Sequence, residues 1–432
     1  MAEKISINLE RCPSESTTDS ESCKLKEREG GCAAWLTVGG SILVYYASYG
    51  VMNSFGFFQD YYSNDFLRDT PASTIAFIGT MQMALVNLLA AISGPLCDRY
   101  GIKYLYLGSG SGTMLTLLML SAIQPGQFWQ VFLIQGFLMG LTIAFGVQPA
   151  LTVIGQHFSE RRALAMGLVS TGAALGGIGF PLLVDQLLPR VGFANALRLA
   201  ALKVVVCYSV ALCISTSKPS ARPERKGGYS TLIDFRGFFD LRYAILCVGT
   251  WFAVLGLSIP SYYIKTYANA AYEGNTLSKY FLCMMNGCSI LGATLAGFLG
   301  DRIGRLNLLW PIALVSGCLT LFLWLPSHSM ATLVLFVCLY GFSASSVTAL
   351  TPSVVGQITP DDKLGARIGA FYSVIAVASL VGTPIGGALI TDKHHRDGYR
   401  WLILFSGTAL IVGSAFMLGS RLLHDRDLRK KW

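Results

Sequence analysis

The stretch Gly94-Pro95-Leu96-Cys97-Asp98-Arg99-Tyr100-Gly101 returns 203 residues later as Gly297-Phe298-Leu299-Gly300-Asp301-Arg302-Ile303-Gly304. Five of the eight positions are identical, and each copy follows a long apolar run. A charged turn that is repeated half a chain apart indicates a duplicated membrane protein with one such turn in each half.

The composition also indicates a membrane protein. Of the 432 residues, 53% are hydrophobic and only 13% are charged. Soluble proteins carry about 25% charged residues, so this chain has too few to cover a water-facing surface. We therefore expect lipid bilayer around most of it. The eleven cysteines form no CxxC pair and no Cys/His cluster with metal-ligand spacing, so we expect neither a metal nor a cofactor.

Twelve apolar segments are long enough to cross a bilayer core of about 30 Å as helices. They cover approximately residues 34–58, 73–96, 104–123, 128–156, 163–188, 198–217, 242–265, 279–300, 307–326, 330–357, 367–390 and 400–420. The expected fold class is an all-α membrane protein with 12 transmembrane helices in two pseudo-symmetric six-helix bundles.

The distribution of positive charge predicts the orientation. Of the 33 Lys and Arg residues, 24 fall on the side that holds both termini and eight on the opposite side. Positive loops stay in the cytoplasm, so we expect both termini there. The net charge of +9 is then a topology signal, and we expect no nucleic-acid partner. The plasma membrane is the expected location, although a vacuolar membrane would produce the same signals.

The polar segments predict the domain organisation. We expect a disordered cytoplasmic tail at 1–29, an N-terminal bundle at 30–217, a cytoplasmic linker at 218–241, a C-terminal bundle at 242–420 and a cytoplasmic tail at 421–432. The first tail has no apolar run behind a basic start, which argues against a signal peptide. No Gly-rich phosphate loop, His-x-x-x-His or nucleophile triad is present, so we do not expect an enzyme.

The repeated turn, which falls between spans 2 and 3 and between spans 8 and 9, resembles the signature of the major facilitator superfamily. The second copy adds Arg305, which completes the usual Gly-Arg ending, whereas the first continues as Ile102-Lys103. The resemblance implies the major facilitator fold and a cytoplasmic latch that joins the halves as the carrier switches access. The latch residues would be Asp98, Arg99, Asp301, Arg302 and Arg305.

Three more motifs are similar to the fungal branch of the monocarboxylate porter family. Glu29-Gly30-Gly31 followed by Trp35 opens span 1, residues 157–167 form the turn before span 5, and residues 365–369 open span 11. Those porters commonly carry an arginine in span 8 that pairs with the substrate carboxylate, with an acidic partner one turn earlier. Here Ala293 and Ser289 occupy those positions, which argues against simple proton–lactate symport.

Charged residues are rare within the spans. A charge at the bilayer centre costs about 2.5–3.5 kcal/mol on insertion scales, so such residues usually mark function. Apart from the first residues of five spans, the only charged residues in the spans are Asp185, Lys203 and Lys265, all toward the predicted outer side. Asp185 could couple transport to protons or pair with Arg198 or Lys203 as an outer gate. Structural pairing, and interfacial anchoring by the lysines, are the alternatives.

The expected substrate pathway is therefore neutral. Helical spacing places Tyr45, Tyr49 and Asn53 on one face of span 1, and the resemblance implies that spans 1, 4, 7 and 10 line the path. A mid-helix asparagine needs a polar partner or water, which favours Asn53 and Asn286, whereas packing alone could explain the aromatic residues. The predicted pathway residues are Tyr45, Tyr49, Asn53, Trp251, Tyr262, Asn286, Ser289, Tyr340 and Thr348.

These features predict a secondary active transporter that moves a small organic compound by alternating access. Efflux of a secondary metabolite or weak organic acid is the preferred hypothesis, because the pathway is neutral and aromatic. The alternative is proton-coupled uptake of a monocarboxylate or vitamin-like nutrient, which needs a titratable group such as Asp185. A more remote alternative is a non-transporting nutrient sensor on the same fold, although such sensors usually add a long cytoplasmic tail.

Overall fold

The computed structural model describes residues 31–68, 70–158, 161–217, 235–272, 277–359, 364–393 and 395–425. The predicted tail at 1–29, most of the predicted linker, and residues 426–432 lie outside these ranges. The regular structure of the described residues is helical throughout. Nine of the described helices have the length and hydropathy of a membrane span, and the longest of them, Arg162–Ile214, contains two spans.

The helices are numbered α1 to α12 by membrane span. The first half contains α1 (Cys32–Asn53, continued by Phe55–Tyr61), α2 (Ala72–Tyr100), α3 (Ile102–Leu120), α4 (Phe128–His157), α5 (162–191) and α6 (193–214). The second half contains α7 (Leu241–Leu257, continued by Ile259–Ala271), α8 (Phe281–Ile303), α9 (Arg305–Leu319), α10 (Met330–Ile358), α11 (Leu364–Ala388) and α12 (Arg400–His424). This arrangement confirms the predicted all-α fold of twelve spans.

Each half buries its own hydrophobic core. One cluster of buried side chains runs from Ala34 to Ala211, and the other from Tyr243 to Met417. The halves meet where α2 packs along α11 and where α5 packs along α8. We call the face at which α1 begins and α12 ends the terminal side, and the opposite face the distal side.

The repeated turn has the same backbone conformation in both halves. Its last glycine, Gly101 in one copy and Gly304 in the other, has a positive φ of 75° and 114° respectively. Each of these glycines donates its N–H to the carbonyl four residues earlier, at 2.9 Å and 3.1 Å. Glycine adopts this conformation without a Cβ clash, which explains why both copies end on it.

Helices α1 and α7 are both interrupted near their distal ends. The break in α1 falls at Ser54, whose hydroxyl donates to the Gly50 carbonyl at 2.6 Å. The break in α7 precedes Pro260, which has no N–H to donate to the Gly256 carbonyl. The Ser406 hydroxyl donates to that carbonyl instead, at 2.9 Å. The Gly50 carbonyl also accepts from the Ser54 N–H at 3.1 Å, so the carbonyls of Gly50 and Gly256 are both hydrogen-bonded at the breaks.

Two helices extend a few residues beyond the approximate boundaries expected from the sequence. Span 1 was expected to end at residue 58, but its helix continues to Tyr61 and then through a π-helical turn at Tyr62–Phe66. The final tail was expected to start at residue 421, but α12 runs to His424. Arg421 is fully buried and its guanidinium donates to the Asn307 side chain, so it belongs to the bundle.

Candidate functional site

A cavity of about 290 Å³ lies between the two halves. Helices α1, α2, α4 and α5 line it from one half, and α7, α8, α10 and α11 from the other. None of the described residues that line it carries a charge. Its wall consists of apolar, hydroxyl, amide and tyrosine side chains. The cavity can therefore recognise a ligand by hydrogen bonds and apolar contact but offers it no ion pair.

The structure places most of the predicted pathway residues on this cavity. Seven of the nine line it: Tyr45, Tyr49, Asn53, Tyr262, Asn286, Ser289 and Thr348. Ala293 also lines it, so the position at which the monocarboxylate porters carry an arginine contributes no charge here.

Trp251 lies away from the cavity, which corrects the prediction. It packs beside Leu255 and Ala378, and its ring meets that of Phe252 at 5.1 Å between centroids. The cavity face of α7 follows Thr250, Val254, Leu257 and Ser261. Trp251 follows Thr250, the first residue of that face. Each residue of a helix advances by about 100° around the axis, so the Trp251 side chain points away from the cavity.

Tyr340 also lies away from the cavity, in the core of the second half. It is fully buried, and its hydroxyl donates to the Leu257 carbonyl at 2.9 Å. The cavity face of α10 begins one residue later, at Gly341, and continues through Ser345 and Thr348. Tyr340 therefore stabilises the break in α7 and does not line the cavity.

Other polar side chains on the cavity were missed by the sequence analysis. Asn87 of α2, Gln148 of α4 and Tyr372 of α11 all line it. The Asn87 amide donates to the Ser379 hydroxyl at 2.9 Å, which joins α2 to α11 across the halves. The argument that selected Asn53 and Asn286 applies equally to Asn87 and Gln148, because both amides lie in the middle of apolar spans.

Two asparagines of the cavity bind the backbone of α5. Asn53 donates to the Ala173 carbonyl and Asn286 to the Gly177 carbonyl, each at 3.3 Å. The Gly177 carbonyl needs such a donor because the residue four positions later is Pro181, which has no N–H. Asn286 therefore completes the hydrogen bonding of α5 from the opposite half.

On the terminal side, α5 and α8 cross through glycines. A Cβ on Gly167 would lie 2.6 Å from the Ala293 carbonyl oxygen, and one on Gly297 would lie 2.6 Å from the Ala163 carbonyl oxygen. No side chain fits at either point. The two backbones approach this closely only because both positions are glycine.

The second copy of the repeated turn joins this crossing. The Asp301 carboxylate accepts a hydrogen bond from the Leu164 N–H at 3.0 Å, near the start of α5. It also forms an ion pair with Arg305 at 3.0 Å, and both side chains are 16% exposed. Because the Asp301 carboxylate lies beside the first turn of α5, the dipole of that helix stabilises its negative charge further.

Two other predicted latch residues, Arg99 and Arg302, lie away from the contact between Asp301 and the start of α5. The Arg302 guanidinium lies 4.2 Å from the centre of the Phe298 ring, and the Arg99 guanidinium lies 5.4 Å from that of Tyr100. Each therefore packs on an aromatic side chain of its own helix. The predicted role of Asp98 lies outside what the structure describes of that residue.

On the distal side, the continuations of α1 and α7 meet. The Lys265 ammonium pairs with the Asp60 carboxylate at 2.6 Å, and these side chains are 26% and 22% exposed. Phe55 and Tyr262 contact each other at 5.5 Å between ring centroids. Asp60 continues the stripe of Tyr49 and Asn53 along α1 and was missed because the predicted span ended at residue 58.

The predicted outer gate around Asp185 is not formed. Asp185 is exposed, and among the described residues no ion pair joins it to Arg198 or Lys203. Arg198 donates to the neighbouring Asn195 side chain at 3.1 Å. The Lys203 ammonium donates to the Gly179 carbonyl at 3.1 Å and lies 4.7 Å from the Tyr46 ring centre. The carbonyl and ring satisfy the lysine within its own half.

Comparison with known proteins identifies the family of this chain. The family model of the Major Facilitator Superfamily matches residues 33–293 and 280–431. The chain belongs to the major facilitator superfamily. The solved structure of a mutant of the nucleoside transporter NupG aligns with this facilitator. The alignment covers 89% of the facilitator and 99% of the NupG chain. The TM-score is 0.67 at 16% identity, a likeness that supports the shared fold.

Fungal relatives match the facilitator over most of its length. The MFS transporter asaE of Aspergillus flavus is 32% identical over 91% of this chain and 88% of its own. The agnestins efflux protein AgnL12 of Paecilomyces divaricatus is 33% identical over 90% of this chain and 87% of its own. The fujikurins efflux protein of Gibberella fujikuroi is 32% identical over 92% of this chain and 84% of its own.

Proposed function

We propose that this facilitator exports an organic secondary metabolite by alternating access and is a carrier rather than an enzyme. The observation that carries the proposal is the uncharged cavity between the two halves. Two relatives of similar length are named as efflux proteins for agnestins and fujikurins, which supports the direction of transport. The substrate would enter the cavity from one side and leave after the halves rock around it.

The uptake of a small monocarboxylate is the less favoured function. A carboxylate in a low-dielectric cavity needs a cation, and the described lining supplies none. Lys265 pairs with Asp60, and Lys203 binds the Gly179 carbonyl. Both cations are therefore engaged outside the lining.

Orientation and location form part of the proposal. The excess of Lys and Arg near the terminal side supports a cytoplasmic position for both ends of the chain, in the plasma membrane. The distal crossing of α1 and α7 would then face the exterior. The separate cores support a division into two bundles at 30–217 and 242–420, joined by a linker.

Proton coupling is proposed as the energy source. The candidate carboxylates are Asp60, which joins the halves, and Asp185, which is exposed. If Asp185 carries the proton, the Asp185→Asn variant loses pH-dependent transport. Unchanged pH dependence in that variant would leave Asp60 as the candidate.

Transport in yeast cells tests the proposed function. The full chain is expressed in a strain with few exporters of its own, and cells are loaded with agnestins, fujikurins or radiolabelled lactate. We expect expression to lower the cellular content of at least one of the two metabolites and to leave lactate uptake unchanged. Proton-driven lactate uptake without metabolite export would contradict the proposal and favour the alternative.

Gly297→Val provides the inactive control, because a side chain at Gly297 meets the backbone of α5. The amount of the Gly297→Val protein in the membrane fraction must match that of the wild-type protein. Export that persists in this variant would show that the α5–α8 crossing plays no part in the cycle.

A further inference from the structure

Six polar side chains of the cavity have no hydrogen-bond partner among the described residues: Ser258 and Tyr262 of α7, and four others that come from both halves. Three of these four are the hydroxyls of Tyr45, Tyr49 and Tyr372, and the fourth is the amide of Gln148. The other amides of the lining differ: Asn53, Asn87 and Asn286 each donate to a neighbouring helix.

Two of these four residues are buried, and Tyr49 and Tyr372 are half-buried. Tyr45 is 5% exposed and Gln148 is 7% exposed, and both open toward the cavity. An unpaired polar group away from bulk solvent costs free energy unless water or a ligand satisfies it. The four groups open on one cavity, so their hydrogen-bonding capacity is available there to water or to a bound ligand.

The groups come from both halves. Tyr45 and Tyr49 are one turn apart on α1, with ring centroids at 5.1 Å, and Gln148 lies on α4. Tyr372 lies on α11 of the other half and lines the same cavity. A ligand held by this set would contact both halves at once, as a carrier requires.

The chemistry of the set defines the ligand. A phenol donates one hydrogen bond strongly, and a glutamine amide donates two and accepts on its oxygen. The best partners are therefore acceptor oxygens, such as those of ketones, lactones and quinones. A carboxylate would also accept these bonds, but without a nearby cation its charge would be buried at large cost.

We propose that Tyr45, Tyr49, Tyr372 and Gln148 form the recognition site for an uncharged, largely apolar molecule that carries carbonyl oxygens. The aromatic rings pack on the body of the molecule, and the hydroxyl and amide groups bind its oxygens. This inference rests on the proposed export function and specifies the substrate class at the same cavity.

Binding of a matched set of probes tests the proposal. Tritiated 2-acetylnaphthalene is titrated onto the full chain in lipid nanodiscs, with 2-ethylnaphthalene and 2-naphthoate as competitors. The three share one aromatic body and differ in whether they carry a neutral acceptor, no acceptor or a charge. We expect saturable binding of the ketone and at least roughly tenfold weaker competition by the other two.

Variants connect the binding to the named groups. Tyr45→Phe, Tyr49→Phe, Tyr372→Phe and Gln148→Leu should each weaken ketone binding about two- to tenfold, the effect of one hydrogen bond, and leave the weak 2-ethylnaphthalene competition unchanged. Tyr104→Phe is the matched control, because Tyr104 is 76% exposed on α3. Its ketone affinity should equal that of the wild type.

Three results would overturn the proposal: no saturable ketone binding, competition by 2-naphthoate equal to that of the ketone, or wild-type affinity in all four variants. Failure of the export function is a separate outcome. Phenol-dependent binding without export of any metabolite would refute export alone, whereas export that is insensitive to all four substitutions would refute this site alone.

Discussion

The two crossings that join the halves are built from different chemistry. On the terminal side, α5 and α8 touch through the backbone at Gly167 and Gly297, with Asp301 bound to the Leu164 N–H. On the distal side, α1 and α7 touch through large side chains and the ion pair of Lys265 with Asp60.

Because of this difference, the two crossings should tolerate different kinds of substitution. A backbone contact between glycines has no spare volume, so any added side chain forces the helices apart. An ion pair at the edge of the membrane can separate into water, where both charges are solvated again. The terminal crossing should therefore be sensitive to shape, and the distal crossing to charge.

The largest effect is expected from Gly297→Ala. Its new methyl group would lie 2.6 Å from the Ala163 carbonyl oxygen, so α5 and α8 must move apart. We expect the free energy of unfolding to fall by about 1–3 kcal/mol and export to be lost. Thermal unfolding and export measure the two effects.

Gly287→Ala is the control on the same helix, because nothing lies within 4 Å of a Cβ at that position. It should preserve both stability and export. Equal losses in the two variants would mean that glycine acts through helix flexibility and not through close approach.

The next effect concerns Asp301. Replacement by Asn removes the charge that binds Arg305 and weakens the bond to the Leu164 N–H. Hydrogen bonds to charged groups contribute about 1.5–3 kcal/mol, so we expect a shift of about tenfold or more in the equilibrium between the two access states. Distances between spin labels on the terminal ends of α4 and α10 report that equilibrium.

Arg305→Gln and Arg302→Gln sharpen this result. Arg305 pairs with Asp301, whereas Arg302 packs on Phe298, so the first should behave like Asp301→Asn and the second like the wild type. An equal shift in both would restore the predicted role of Arg302 in the latch.

A double-mutant cycle tests the contact between Asn286 and α5. Asn286→Ala leaves the Gly177 carbonyl without a donor, which should cost about 1–3 kcal/mol of unfolding free energy. Pro181→Ala restores an N–H four residues after Gly177. We expect Asn286→Ala to cost less in that background, as measured by denaturant unfolding. Additive effects would exclude the proposed compensation.

The smallest effect is expected at the distal ion pair. Because Lys265 and Asp60 are partly exposed, neutralising either one should shift the access equilibrium by only about 0.2–1 kcal/mol, toward the distal-open state. The Asp60→Lys/Lys265→Asp exchange should restore the wild-type distances between spin labels on the distal ends of α1 and α7. If neutralising Lys265 or Asp60 shifted the access equilibrium more than Asp301→Asn does, the distal crossing would be the stronger of the two, which would contradict the proposal.

Much of the cavity could be predicted because helical spacing is regular. Tyr45, Tyr49 and Asn53 share a face of α1 as expected. The prediction missed by one residue at Trp251 and Tyr340, because the centre of a helix face cannot be found without the neighbouring helices. Tyr372 carried no local signal, since one tyrosine among apolar residues looks the same on a lipid face and on a cavity.

The sequence by itself determined the number of spans, the duplication and the lack of charge along the pathway. These properties follow from composition and local periodicity, which are carried by neighbouring residues. The tertiary structure alone decided which distant groups meet: Lys265 with Asp60, 205 residues apart, and Asn286 with Gly177, 109 residues apart. Such pairs depend on how complete helices cross, and helix packing sums contacts over the whole surface of each half.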